Sequence, residues 1–280
     1  MNLRIVNKAM LTVGLWAMAV PVWAGSQIEK TLPLNPGGQF ILESDAGSVS
    51  LTGVDESGAK VVITSSRDDL QDLVDFSFDD SPGLVRVRAR RHNSWSWFEN
   101  LDLHYDVRVP RATAVEIKTG GGAIEISSLT RDAELKTSGG SIRARQIQGH
   151  TELSTSGGPI EAESIDGTLI ARTSGGPIHV ERVTGRVDAH TSGGGVTVIF
   201  SKNNGHGGVI ESSGGSITVA VDPSANLQID AATSGGSIHS DLPIRVSGTI
   251  SSRALRGTLG SGGNMLTVHT SGGSIHLASL

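Results

Sequence analysis

Apolar and polar residues alternate along most of the chain, and the same pattern returns at a fixed interval. In one unit, Ile160 and Ala162 are separated by a single polar residue, and Ile165 follows three positions later. Apolar residues at i and i+2 are typical of a β-strand whose alternate side chains point inward. The pattern therefore predicts strands whose inward residues stack from unit to unit. The first inward position is occupied by Ile124, Ile142, Ile160, Ile178, Val196, Ile217, Ile238 and Ile275.

A short glycine-rich phrase, T-S-G-G in its commonest form, precedes each of these strands and marks the repeat length. Five copies begin 18 residues apart, and the later ones follow at wider spacing. Periods of about 20 residues indicate a solenoid, in which every coil presents the same inward face to its neighbours. We predict an all-β fold, namely a parallel β-helix (β-solenoid) with coils of 18–21 residues. The copies begin at Thr119, Thr137, Thr155, Thr173, Thr191, Ser212, Thr233 and Thr270.

The residue types of this phrase suit a tight corner. Glycine makes up 37 of the 280 residues, about 13% against an average near 7%. Because glycine lacks a Cβ, it permits sharp bends and a close approach between successive backbones. The threonine is expected to face inward at the corner, where its methyl packs and its hydroxyl bonds the next coil.

The outward positions beside the isoleucines carry charges of alternating sign. Glu125, Arg143, Glu161 and His179 occupy this column in successive units, and Thr197 follows. Opposite charges on neighbouring strands are mildly stabilising, whereas like charges repel. The alternation therefore favours coils that stack in register.

The first residues have the pattern of an export signal. Arg4 and Lys8 precede an apolar run at 9–20, and Ala24 suits the last position before a cleavage site. The run is shorter than the about 20 residues that span a bilayer. We predict residues 1–24 to be a cleaved signal peptide, so that the product is periplasmic, secreted or otherwise associated with the cell envelope, without a transmembrane segment.

Composition narrows the classes of function. Removing the signal leaves 21 Lys and Arg against 28 Asp and Glu, a net charge of about −7, which argues against a nucleic-acid partner. The chain has no cysteine, so disulfides and a lipid-modified cysteine are excluded. Apolar burial and hydrogen bonding must therefore hold the fold together.

The mature chain divides into two predicted regions. Residues 25–110 contain strands of less regular spacing, interpreted as wider coils or a small end sheet, whereas residues 111–280 carry the regular repeats. The first region also has an outward basic stripe, which we expect to pair with Asp102 and Asp106 across a hairpin. The stripe consists of Arg86, Arg88, Arg90 and Arg91.

The connection of that predicted hairpin is the first candidate binding surface. It places Trp95, Trp97 and Phe98 within four residues, in a mature chain with no other tryptophan. Large aromatics at a loop tip are typical of recognition surfaces. The same residues would equally suit a cap over the open end of the solenoid, where unpaired strand edges need cover.

Two neighbouring coils carry insertions, which form the second candidate surface. Residues 201–208 and 221–226 lengthen successive coils at about the same corner. Adjacent insertions on a solenoid commonly form a binding ridge, although loop tolerance alone would also produce them. Asn203, Asn204 and His206 are the candidate partner-binding residues of this ridge.

The carboxylates do not form the clusters that β-helix enzymes require. Such enzymes use several acidic residues together, for calcium or for acid–base chemistry, usually beside a basic side chain. Here Glu134 stacks only with Glu152, and Glu163 only with Glu181. We therefore predict no catalytic residues and no cofactor.

Three histidines share one outward register. His179, His239 and His276 occupy equivalent positions in their units but fall on coils that are not consecutive in sequence. A metal site needs ligands within a few ångströms of one another. The spacing therefore argues against a metal site.

Three segments together resemble a known family. These are F-I-L-E-S-D-A-G-S-V-S-L from Phe40, Y-D-V-R-V-P-R-A-T-A-V-E-I-K-T-G-G-G-A-I-E-I from Tyr105, and the serial T-S-G-G-S-I phrases. The chain resembles the bacterial putative adhesins, a domain-of-unknown-function family of the cell envelope, over residues 40–277. The resemblance implies a single-stranded, right-handed β-helix and an envelope or surface role, and it brings no catalytic residues.

The sequence thus predicts a non-catalytic, adhesin-like binding or scaffolding protein. It would engage an envelope protein or glycan through the solenoid faces and the aromatic loop. Two alternatives stay open: a regulatory or assembly partner in envelope stress, and a glycan-cleaving β-helix enzyme. The open ends of a solenoid also make end-to-end self-association an expected interaction.

Overall fold

The computed structural model describes residues 25–92, 102–247 and 251–280, so the predicted signal peptide lies outside the described residues. Within the described part the fold is all-β, with one short helix, α1 (Leu70–Leu73). The strands form two long sheets of 12 and 13 strands, called sheet A and sheet B here. Buried side chains from both sheets belong to one apolar cluster that extends from Leu32 to Leu277. The predicted all-β solenoid is confirmed.

Sheet A is parallel along its centre, and its antiparallel pairings lie near one end, between Ala59–Ser65 and its neighbours Ser26–Leu32 and Leu103–Pro110. In spatial order it contains β1 (Ser26–Leu32), β4 (Ala59–Ser65), β7 (Leu103–Pro110), β3 (Ser48–Val54), β9 (Ile124–Leu129), β11 (Ile142–Gln148), β13 (Ile160–Asp166), β15 (Ile178–Val183), β17 (Val196–Phe200), β19 (Ile217–Val221), β25 (Ile275–Ser279) and β21 (Ile238–Ser240).

Sheet B is also parallel along its centre and has antiparallel strands at both ends. In spatial order it contains β22 (Arg245–Val246), β23 (Ala254–Leu259), β20 (Leu227–Thr233), β24 (Asn264–Thr270), β18 (Gly208–Ser212), β16 (Val187–Thr191), β14 (Leu169–Thr173), β12 (Thr151–Thr155), β10 (Ala133–Thr137), β8 (Ala114–Thr119), β2 (Gln39–Ser44), β6 (Leu84–Arg91) and β5 (Val74–Ser81).

Each central coil contributes one strand to each sheet, and the coils stack in register. Ile160 pairs with Ile142 on one side and with Ile178 on the other. These three side chains are at most 1% exposed. The predicted internal column of aliphatic residues is therefore confirmed.

One residue near the end of each central sheet-A strand has a left-handed backbone. In β11, Ala144 points inward, Gln146 has a φ of 55°, and Ile147 points inward again. The left-handed residue changes the alternation, so that the third inward side chain comes three positions after the second instead of two. The residues with this conformation in successive coils are Ser128, Gln146, Ser164 and Arg182.

The threonine of the repeated phrase fastens neighbouring coils together. Thr173 is buried, and its hydroxyl donates a hydrogen bond of 3.0 Å to the carbonyl oxygen of Gly158 in the preceding coil. The hydroxyl oxygen of Thr173 also accepts a hydrogen bond of 3.3 Å from the backbone N–H of Gly176, three residues later. The expected inter-coil hydrogen bond is therefore present. Equivalent bonds to a neighbouring coil start at Thr137, Thr155, Thr191, Ser212, Thr233 and Thr270.

We predict that Thr173→Val lowers the free energy of unfolding by about 1–2 kcal/mol, because the Gly158 carbonyl loses its donor inside the fold. Chemical denaturation followed by circular dichroism would measure the change. Thr173→Ser is the matched control, since Ser212 makes the same pair of bonds elsewhere. A Val variant as stable as the Ser variant would contradict the importance of this bond.

At both ends of the solenoid, the coils do not stack in chain order. The coil β2–β3 lies between the coils β6–β7 and β8–β9. At the other end, the last coil, β24–β25, is inserted between β18–β19 and β20–β21. The sequence interpretation assumed stacking in chain order and is wrong at these two places. Strands β23 and β24 are consecutive in the chain but do not pair with each other, because β20 lies between them.

The arginine stripe of β6 has other partners than those predicted. Strand β6 pairs with β5 and β2, whereas β7 belongs to the other sheet, so Asp102 and Asp106 are not across a hairpin from it. Arg88 contacts Glu43 of β2 at 3.2 Å and Asp79 of β5 at 2.9 Å. Arg90 contacts Asp45 in the turn after β2 at 2.9 Å, so the acidic partners of Arg88 and Arg90 lie on or beside β2 and β5.

Candidate functional site

A groove of about 750 Å³ crosses sheet B near the first regular coils. It lies where β2, β6, β8 and β10 end and enter their turns, and it is called the sheet-B groove here. Small residues of the repeated phrase, such as Thr119, Gly121 and Ser138, form part of its surface. Its charged lining residues are Glu43, Asp45, Arg90, Arg91, Lys118 and Lys136.

The strand register brings these charges together. Glu43 of β2 pairs with Lys118 of β8, which pairs in turn with Lys136 of β10. All three occupy the outward position just before the buried Ser or Thr that ends the strand. Two lysines therefore stand side by side on neighbouring parallel strands, about 4.8 Å apart along the stack.

Each lysine of the groove is held by a glutamate two residues earlier on its own strand. Lys118 donates to Glu116, and Lys136 donates to Glu134 at 2.6 Å. The hydrogen bond to Glu116 raises the pKa of Lys118, and the hydrogen bond from Lys136 lowers the pKa of Glu134. Both effects favour the charged forms at neutral pH. Since an ammonium group has three donors, each lysine keeps donors for another acceptor.

The far rim of the groove is ordered by Asp45 in the turn after β2. Its carboxylate accepts a hydrogen bond of 2.9 Å from the Arg90 guanidinium and one of 3.0 Å from the Arg91 backbone N–H. The turn of β2 and the end of β6 therefore form one rigid wall. The residues of the predicted aromatic loop follow Arg91 and His92 in the sequence.

Sheet A presents a second charged surface, on which ion pairs connect neighbouring coils. Arg143 contacts Glu161 at 2.7 Å and Glu125 at 3.9 Å, and Arg145 contacts Glu125 at 2.7 Å. The bond from Arg143 lowers the pKa of Glu161. The predicted alternation of charge is therefore confirmed, with each acid already paired.

The comparison with family models decides the family of the chain. The model described as Toastrack DUF4097 matches residues 41–278, which is most of the chain. The chain belongs to this family. The predicted membership of a domain-of-unknown-function family is thus confirmed. No curated protein matches the chain.

Solved structures similar to this Toastrack chain are distant in sequence. A putative adhesin from Bacteroides fragilis has 14% identity and a TM-score of 0.54, with 90% of this chain and 97% of that chain covered. A putative adhesin from Parabacteroides distasonis has 11% identity, a TM-score of 0.44, and coverage of 91% and 98%. A putative lipid binding protein from the same organism has 15% identity, a TM-score of 0.43, and coverage of 90% and 96%. The first of these likenesses supports the fold alone.

The Toastrack chain has no helix, among its described residues, with the length and apolar character needed to cross a bilayer. Trp95, Trp97 and Phe98, the predicted aromatic anchors, lie outside the described residues. Asn203 and His206 are exposed in the predicted ridge. Asn204 is 5% exposed, and its amide donates to the carbonyl oxygens of two residues in the preceding coil.

The histidine prediction requires a correction. His239 of β21 and His276 of β25 pair directly in sheet A, because the inserted last coil brings their strands together. The spacing argument against a metal site therefore rested on the wrong order of coils. The side chain of Asp241 lies between the two imidazoles, which the sequence analysis missed.

Proposed function

We propose that this Toastrack protein is exported and acts in the cell envelope as a non-catalytic binding module for an acidic glycan. The sheet-B groove is the proposed binding surface, and the paired lysines Lys118 and Lys136 are its central contacts. The observation that carries the proposal is this pair of neighbouring ammonium groups in an open groove of a chain that is acidic as a whole.

The size and chemistry of the groove support a short segment of polysaccharide. Its volume of about 750 Å³ lies within the about 300–1,000 Å³ typical of ligand sites. The lining contains four basic and two acidic side chains, and its two lysines are also paired with Glu116 and Glu134. The ammonium donors that these pairs leave would bind carboxylate or phosphate groups more strongly than neutral sugar hydroxyls. Hydroxyl-bearing residues such as Thr119 and Ser138 add hydrogen-bonding groups of the kind that bind sugar hydroxyls.

The aromatic loop has an auxiliary place in the proposal. Trp95 and Trp97 follow the end of β6 after only a few residues, and Arg91 at that end lines the groove. Aromatic rings commonly provide apolar contact surface in binding sites. We propose that they add contact area for the same glycan, with Asn203 and His206 as a separate accessory surface.

The described carboxylates support binding without turnover. Glycoside hydrolysis needs two carboxyl groups that flank one bond, with one of them free to act as an acid. In the described residues the stacked pair Glu163 and Glu181 is held by Arg182, which contacts both. The other stack contains three glutamates, one more than the sequence indicated: Glu116, Glu134 and Glu152. Each of them contacts a basic side chain, in the order Lys118, Lys136 and Arg172.

Binding of a defined acidic oligosaccharide tests this function. Titration calorimetry with oligogalacturonate, which has one carboxylate per sugar, is expected to show saturable binding, with a neutral malto-oligosaccharide as comparison. Lys118→Ala combined with Lys136→Ala is expected to weaken the affinity at least tenfold, because hydrogen bonds to charged groups contribute about 1.5–3 kcal/mol each. Lys60→Ala is the matched control, since Lys60 is also ion-paired, to Glu29 at 2.7 Å, but lies on sheet A.

Four results would count against parts of this proposal. Equal affinity of the double lysine variant and Lys60→Ala would remove the groove from it. Equal binding of the neutral oligosaccharide would remove the acidic ligand class. Unchanged binding by Trp95→Ala/Trp97→Ala would remove the aromatic loop, and release of shorter sugars would overturn the non-catalytic assignment.

A further inference from the structure

Two histidines and an aspartate converge at the end of sheet A. Asp241 follows the end of β21, and its backbone N–H donates to the carbonyl oxygen of Leu277 at 2.9 Å, which fixes its position beside β25. Its two carboxylate oxygens contact the Nε2 atoms of His239 at 3.0 Å and of His276 at 2.9 Å. The ligand atoms of the three residues lie within 4.8 Å of one another.

The backbone positions all three side chains before any ligand arrives. His239 and His276 are directly paired on parallel neighbours, and both alternate with inward isoleucines, Ile238 and Ile275. The two imidazole rings are consequently held with centroids 5.3 Å apart. Rotation of the side chains would bring the two Nε2 atoms and a carboxylate oxygen of Asp241 around a single ion.

The distances are close to those of a coordination shell. A zinc ion binds imidazole nitrogen and carboxylate oxygen at about 2.0–2.2 Å, so tetrahedral ligand atoms lie about 3.3 Å apart. The two nitrogen–oxygen distances around Asp241 are already slightly shorter than this.

We propose that His239, Asp241 and His276 form a binding site for a divalent transition-metal ion of the zinc class. Imidazole ligands favour such ions over Mg²⁺ and Ca²⁺, which prefer oxygen ligands. A tetrahedral ion with three protein ligands has one position left for water. Water can reach this position because the side chain of His239 is 74% exposed.

Other histidines of the described residues show why this cluster differs. His179 contacts Glu181 at 2.8 Å in the same His-X-acid spacing, but Thr197 and Glu161 flank it on the neighbouring strands. On sheet B, Glu211 separates His190 from His269, which are therefore two strands apart. Only the cluster at the end of sheet A meets the distance condition among the described residues.

The site would join segments that are distant in sequence. His239 and Asp241 belong to the coil β20–β21, whose strand β21 lies at the edge of sheet A. His276 belongs to the last coil of the chain, β24–β25, which lies next to it. Strand β21 is three residues long and has a neighbour on one side only. A bound ion would therefore hold the short edge strand β21 against β25. Because the ion binds the folded state, it would also raise the free energy of unfolding.

Zinc titration of the full chain without an affinity tag tests the proposal. Calorimetry with ZnCl₂ is expected to show one saturable site per chain, and Zn²⁺ is expected to raise the unfolding temperature until EDTA is added. The His239→Gln/His276→Gln variant is expected to lose at least about tenfold in affinity, as ligand-shell changes commonly do. Its unfolding temperature without metal should match that of the metal-free wild type, since both side chains are on the surface.

His179→Gln is the matched control, because it removes an outward histidine with a carboxylate partner from the same sheet. It is expected to bind Zn²⁺ like the wild type. The proposal is overturned if the wild type shows no saturable binding, if the double variant binds equally well, or if His179→Gln weakens binding as much as the double variant. Binding of Mg²⁺ with equal affinity would also contradict an imidazole site.

Discussion

Ile160→Asp is expected to abolish folding. Ile160 is 0% exposed in the middle of the internal column, with Ile142 and Ile178 on the two neighbouring coils. A carboxylate there has no partner. It must either stay charged in an apolar core or become protonated at a pH at which it is normally ionised, and both alternatives cost free energy. Either course costs several kcal/mol, whereas a folded domain is stable by only about 5–15 kcal/mol. Circular dichroism of the purified variant would show the loss of the β spectrum and of cooperative melting.

Ile160→Val separates the effect of charge from that of volume. It removes one buried methylene and is expected to cost about 0.5–1.5 kcal/mol with the fold retained. Glu161→Asp tests the outward face of the same strand and is expected to change stability very little, because the side chain is about half exposed. A native-like melting curve for Ile160→Asp would show that the column is not internal in solution.

The central coils could be predicted from the sequence because one pattern satisfies every constraint at once. A residue such as Ile142 must be apolar to fill the core, and it must recur at the coil length to pack on Ile160. Thr155 must recur as well, because its hydroxyl reaches Gly140 of the preceding coil. The sequence pattern and the contacts between coils therefore have the same period, so the contacts can be predicted from the pattern.

The order of the coils at the two ends could not be predicted in the same way. Every coil has the same kind of upper and lower face, so the phrase at Thr270 fits against any other copy. In the structure its hydroxyl bonds Gly215, and that of Thr233 bonds Gly273, which follows the spatial order and not the chain order. The antiparallel strand β23 occupies the outer side of β20 and contributes to this arrangement.

The candidate sites differ in how far they could be predicted from the sequence. The neighbouring lysines of the sheet-B groove lie 18 residues apart, at Lys118 and Lys136, so the repeat alone places them together. The contact of Asp45 with Arg90 depends on β2 lying beside β6 and could be found only from the structure. The histidine cluster likewise depends on the inserted last coil. Sites within the regular repeat are thus predictable, and sites at the ends are not.

Gly140→Ala is expected to lower the free energy of unfolding by about 3–5 kcal/mol, at the upper end of the range for point substitutions. A Cβ at this position would lie 1.8 Å from the carbonyl oxygen of Gly122 in the preceding coil. That oxygen also accepts the hydroxyl of Thr137 at 3.0 Å. The coils would have to separate at this corner, and the inter-coil hydrogen bond would be lost with them. Chemical denaturation at equilibrium measures the difference from the wild type.

Gly139→Ala provides the matched control, one residue away in the same turn. A Cβ there meets no atom within 4 Å, and neither glycine has a left-handed φ. Replacing Gly139 is therefore expected to leave stability unchanged or to raise it by about 0.4–1 kcal/mol, since alanine restricts the unfolded chain. The contrast between the two adjacent glycines isolates the close approach of backbones from general glycine flexibility. Equal losses at both positions would mean that the turn requires glycine for its flexibility, and that the spacing between coils is not set by contact at Gly140.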